Sequence, residues 1–133
     1  MKRRVGGSAL LVLGLFAYSP PGQVRVHIVQ LGNNRFVPAV IEVIPGDSLR
    51  LTNGAGGPHN LEFEADSIPE AARKALAQAM PGDKLGPLSS PLLIITGETY
   101  GFRIPELPPG RYPFVCLPHV AGNMRGALVV VRQ

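Results

Sequence analysis

Ala39-Val-Ile-Glu-Val-Ile44 and Ser48-Leu-Arg-Leu-Thr52 are two short runs rich in apolar and β-branched residues, parted by Pro45-Gly46-Asp47. Side chains alternate across a strand, so runs of this kind lay one face on a core, and a Pro-Gly-Asp break turns the chain between them. Similar runs lie on both sides. Val24, Val26 and Ile28 alternate with Arg25, His27 and Val29 in a first strand, with His27 on the polar, outward phase. Leu61 to Ala65, Leu92 to Thr96, Thr99 to Ile104, Tyr112 to Cys116 and Ala127 to Val131 continue the series. The pattern predicts one helix, Glu70 to Met80, opened by Ser67 and Pro69, stopped by Pro81-Gly82 and packed through Met80. The expected fold is all-β: an antiparallel Greek-key β-sandwich of about eight strands with one short helix.

The chain has 133 residues, 45% hydrophobic and 17% charged, with 16 Gly and 14 Pro. Those proportions fit one ordinary domain and leave few runs long enough for helices. Lys2-Arg3-Arg4 precedes the apolar stretch Ala9 to Tyr18, which reads as an export signal over residues 1–22, with a retained anchor as the alternative. Residues 23–133 form the expected domain. Three of the 13 basic residues fall in the leader, leaving ten against nine acidic ones. No basic cluster with interleaved aromatics remains, so nucleic-acid binding is excluded.

Cys116 is the single cysteine, which rules out an internal disulfide, and an unpaired thiol in an exported chain asks for a role such as metal ligation. Cys116-Leu-Pro-His119-Val-Ala-Gly-Asn-Met124 sets a thiolate, an imidazole and a thioether on one loop, and His59 lies on an earlier one. Taken singly, each is an ordinary side chain: a small buried thiol, a loop histidine, a core methionine. Together, two imidazoles and a thiolate with a weak thioether make the donor set of a blue-copper electron-transfer site. Structural zinc, which prefers four firm donors, gains little from Met124.

The loop Cys116-Leu-Pro-His119-x4-Met124 resembles the C-x-P-H-x4-M loop of the cupredoxin family. Pro58-His59-Asn60-Leu-Glu-Phe63 with Asp66-Ser-Ile-Pro69 resembles the histidine strand and following turn of its plastocyanin branch, and Gly97-Glu98-Thr99-Tyr100 and Gly110-Arg-Tyr-Pro-Phe114 match its later strands. The likeness runs over about residues 24 to 132 and is loosest between Glu70 and Pro91. It implies a cupredoxin-like sandwich with one copper ion cycling between Cu(I) and Cu(II), His59, Cys116 and His119 as equatorial ligands and Met124 as the long axial one. Asn60 would hydrogen-bond the thiolate and tie the ligand loops together. His119 would be the electron port, ringed by Pro38, Gly54 to Pro58, Leu117, Pro118 and Ala121 to Asn123.

The resemblance also implies a monomeric electron carrier rather than an enzyme, exported to the thylakoid lumen or periplasm. Its donor would be a cytochrome of the f type and its acceptor photosystem I. The alternatives are a pseudoazurin-like carrier in a respiratory chain and a copper-binding protein without redox traffic. One departure affects docking: many plastocyanins carry tyrosine before the ligand cysteine, where Val115 stands here. Glu62, Glu64, Asp66 and Glu70 would form only a modest acidic surface, diluted by Arg73 and Lys74, so partner association should depend weakly on salt.

Overall fold

The structure is a computed structural model that describes residues 22–132, so the leader at 1–22 lies, but for Gly22, outside the described residues. Two four-stranded sheets face each other. One is ordered β2 (Arg35–Val37), β1 (Val26–Gly32), β4 (Ser48–Asn53), β6 (Thr99–Arg103). The other is ordered β3 (Val40–Val43), β8 (Arg125–Val130), β7 (Gly110–Val115), β5 (Glu62–Phe63). Among the described residues one α-helix, α1 (Glu70–Ala79), packs Ala72 and Leu76 against the core. Phe36, Phe63 and Phe114 meet edge to face between the sheets, with centroids 4.8 Å apart for Phe36 and Phe114 and 6.0 Å for Phe63 and Phe114.

The sheets are mixed rather than antiparallel. β1 runs parallel to β4, and β3 parallel to β8, because Pro45-Gly46-Asp47 carries the chain from one sheet to the other instead of closing a hairpin. Both turn and register follow from burial: Ile41 and Val43 face inward in one sheet, Leu49 and Leu51 in the other.

Three strand expectations are corrected. Leu92 to Thr96 is not a strand; Leu93 alone makes a bridge, to His59, while Ile94 and Ile95 present their N–H groups to the Glu98 carboxylate. Arg35–Val37 is a strand that the sequence pattern did not mark. The third correction is the phase of β1. Val26 and Ile28 are half exposed, at 51% and 52%, while Val29 and Leu31 are fully buried, so His27 lies on the inward phase. Its Nε2 meets the carboxylate of Asp47 at 2.8 Å. Asp47, 3% exposed, also accepts from the backbone N–H of Ile44 and of Arg25, which ties the starts of β1 and β4 to the end of β3. A buried carboxylate without partners would be costly, so His27 turns inward to it. At the helix, Pro69 rather than Ser67 occupies the capping position, and Ser67 sits in a preceding 3-10 turn (Ala65–Ser67).

Candidate metal centre

The four residues singled out as donors all lie at one end of the sandwich. Cys116 follows β7, and its backbone N–H donates to the Met124 carbonyl at 3.0 Å just before β8 begins. Between them a 3-10 turn (Leu117–Gly122) brings His119 back, fixed by its N–H to the Cys116 carbonyl and by Met124 N–H to its own carbonyl. One nine-residue segment thus presents three donors through its own backbone. His59 comes from the other side, in a two-way backbone bridge with Leu93.

The Cys116 sulfur lies 3.4 Å from Nδ1 of His119 and 3.8 Å from Nδ1 of His59, and the three donor atoms fall within 4.8 Å of one another. Metal bonds of about 2.3 Å to sulfur and 2.0 Å to imidazole at a trigonal angle separate S from N by about 3.7 Å. The observed spacings therefore suit one ion held between the three. His59, Cys116 and Met124 are fully buried, and His119 is half-buried.

The ring orientations are set by neighbours. Ala55 O receives Nε2 of His59 at 2.9 Å. A carbonyl only accepts, so Nε2 carries the proton and the Nδ1 lone pair faces the sulfur. Burial pushes the Cys116 thiol up, against the pull of the backbone N–H groups of Asn60 and His119. The polypeptide alone thus favours a neutral thiol here, and a bound cation would supply the charge that releases its proton.

Asn60 divides the role expected of it. Its backbone N–H points at the Cys116 sulfur, 3.5 Å away, and its side-chain oxygen accepts from Leu117 N–H at 2.8 Å. The side chain ties the loops together while the main chain contacts the sulfur. The amide Nδ2 is buried with no partner among the described residues.

The surface around His119 is weakly polar. Pro38, Ala55 to Pro58, Leu117, Pro118 and Ala121 to Asn123 are exposed, and Gly54 is half-buried. A side chain at Gly54 would meet the Leu31 carbonyl at 2.7 Å, so glycine lets the loop lie against the end of β1. Ile94 and Ile95, at 66% and 69% exposure, join this end of the molecule through bonds from Asn53 to the 95–98 turn. Sequence reading missed them by assigning them to a strand. Val115 is buried, and Glu64 pairs with Arg125 at the edge of a hollow also lined by Glu62, Asp66 and Val120.

The profile described as copper binding proteins, plastocyanin/azurin family, matches residues 24–131. The chain belongs to the plastocyanin/azurin family of copper-binding proteins. It is 37% identical over 99 residues to plastocyanin of Vicia faba, covering 74% of this chain and 90% of that one. To the chloroplastic plastocyanin minor isoform of Arabidopsis thaliana it is 35% identical over 99 residues, 74% of this chain but 52% of that protein. The chain thus spans about half the length of some relatives it matches. Among solved structures, a mutant plastocyanin of fern superposes with a TM-score of 0.62 at 28% identity, over 79% of this chain and all of that one. An amicyanin mutant superposes at 0.56 with 26% identity, over 86% and 88% of the two chains. The fold is that of the cupredoxins, and His59, Cys116, His119 and Met124 are arranged as a site for one copper ion.

Proposed function

We propose that this chain is a one-electron carrier in which His59, Cys116, His119 and Met124 hold a single copper ion. The carrying observation is the placement of one thiol sulfur between two imidazole nitrogens, 3.4 and 3.8 Å away, under a shell of buried side chains. Copper held by such a set passes between Cu(I) and Cu(II) at little geometric cost. The chain's own contribution is rigidity. Ala55 fixes the His59 ring, the Cys116–Met124 backbone bonds fix the loop, and Asn60 locks that loop to the His59 segment. The third histidine, His27, is held by Asp47 at the other end of the sandwich and takes no part in this site.

His119 serves as the port, since it is the donor that approaches solvent, and exposed Leu117 and Val120 beside it suit brief docking. We assign a cytochrome of the f type as donor and photosystem I as acceptor, in a thylakoid lumen or periplasm reached by export through residues 1–22. The plastocyanin relatives support that reading. A pseudoazurin-like carrier in a respiratory chain is the second reading, favoured by buried Val115 and by the Glu64–Arg125 pair, which leave little acidic surface for docking.

The test is to add Cu(II) to the purified protein and record visible absorption and electron paramagnetic resonance. An intense thiolate-to-copper band with narrow hyperfine splitting, absent in Cys116→Ser, is expected; a pale protein with ordinary tetragonal copper would overturn the assignment. Electron donation to purified photosystem I then separates the two readings, since failure to reduce it favours the respiratory one.

A further inference from the structure

The end of the sandwich far from His119 carries a distinct charge pattern. The register places the start of β1, the start of β4 and the end of β6 together, through Val26↔Ser48 and Ser48↔Arg103. The Ile44–Asp47 turn brings the end of β3, and with it the end of β8, to the same rim. Among the described residues, Arg25, Arg103 and Arg132 are exposed on that rim against the carboxylate of Glu106, with exposed Arg111 and Glu42 one ladder step further in, both opposite Val129. The remaining acid there, Asp47, is buried and engaged by His27. The acidic residues Glu62, Glu64 and Asp66 lie instead around β5, which pairs with the end of β7 that leads into Cys116.

The polypeptide also enters the sandwich at the arginine rim, with Gly22, Gln23 and Val24 lining the same hollow as Arg103. The 21 residues before this point hold no acidic residue and no charge after Arg4. An apolar leader or anchor of that kind delivers the chain at a bilayer, and whatever it meets first is the rim it joins.

We infer that the Arg25–Arg103–Arg132 rim is a docking surface for an anionic lipid bilayer, and that it holds the sandwich upright with the His119 end turned away. Guanidinium groups bind phosphate oxygens well and keep their charge at any working pH. Several arginines at one surface attract an anionic leaflet within a Debye length. β1 spans seven residues, so the port stands about 20 Å or more above the headgroups, free for a partner that projects from the membrane or diffuses beside it.

Vesicle flotation of the full-length protein tests this, comparing phosphatidylcholine vesicles with vesicles containing phosphatidylglycerol at low salt. The ratio of anionic to neutral binding is expected on the order of tenfold, falling close to one in Arg25→Glu/Arg132→Glu. Arg35→Glu/Lys74→Glu, with the same net charge change away from the rim, should keep the wild-type ratio. Equal ratios in wild type and the rim variant overturn the inference, and so does equal loss in both variants, which would make net charge the cause. Displacement by inorganic phosphate well beyond chloride at matched ionic strength would assign the rim to a free anion and also overturn it. Arg103 is left intact because its Nε donates to the Gly46 carbonyl. Should the reversed pair fail to fold by near-ultraviolet circular dichroism, Arg25→Gln/Arg132→Gln gives the same comparison with a smaller expected fall.

Discussion

The Asn60 side-chain oxygen accepts the backbone N–H of Leu117 at 2.8 Å, across 57 positions of sequence, and so joins the His59 segment to the loop that bears Cys116, His119 and Met124. It reinforces, next to the ligands themselves, the β5–β7 pairing that sets the two ligand segments side by side. Asn60→Ala should therefore lower copper retention by about 10- to 100-fold, read by competition with a chelator, and shift the reduction potential, read by voltammetry. The sulfur would keep its bond from the residue-60 backbone N–H, so the blue colour should survive. Unchanged retention and unchanged potential together would reject this role.

His119→Ala removes the donor nearest solvent. The variant should lose the blue band and regain it when external imidazole fills the gap, because His59 and Cys116 remain buried in place. Electron transfer should return with the colour; fast transfer without imidazole would place the port elsewhere.

Glu64 is occupied by Arg125, which offsets one of the three carboxylates lining the adjacent hollow, and Arg73 and Lys74 stand on the helix that follows. Association of the wild-type chain with a cationic cytochrome should accordingly vary little with ionic strength. Arg125→Ala frees Glu64 beside Glu62 and Asp66 and should raise the low-salt on-rate by about two- to tenfold, with a steeper fall on adding salt. Stopped-flow rates over a salt series provide the check, and parallel slopes for the two proteins would contradict it.

Asp47 links three strands and should show its role in acid. Burial acts to raise its pKa, but the hydrogen bonds from His27, Ile44 and Arg25 hold it below its ordinary value of 3.8. The folded state thus favours the carboxylate, and the stability it contributes is complete above that ordinary value and lost as pH falls through the lower folded one. Asp47→Asn should be less stable near neutrality by about 1–3 kcal/mol, with the gap to wild type closing below about pH 4. Denaturant titrations at several pH values measure the gap; one that widens in acid would reverse the sign.

The metal centre was legible in the sequence because most of it is local. Cys116, His119 and Met124 lie within nine residues, and their spacing alone fixes a turn whose backbone bonds close on themselves. Less local features were harder to read. Val24, Val26 and Ile28 alternate with the polar Arg25 and His27, so the pattern pointed the wrong face inward; pairing of Val29 with Leu51 and the demand of buried Asp47 for a partner decided the phase. Ile94 and Ile95 have the composition of a strand, but the Glu98 carboxylate takes their N–H groups and bends them out. The parallel pairings of β1 with β4 and β3 with β8 join segments whose order along the chain does not disclose their direction.

The separation of His59 from the other three donors bears on how the folded chain resists unravelling. An ion gripped by both segments closes a ring of the polypeptide, as a disulfide would, between positions 57 residues apart. Closing a ring of that size restricts the unfolded chain by about 4 kcal/mol. The centre is thus a removable staple, and a chain that releases its ion regains the freedom to come apart along the seam between its two ligand segments.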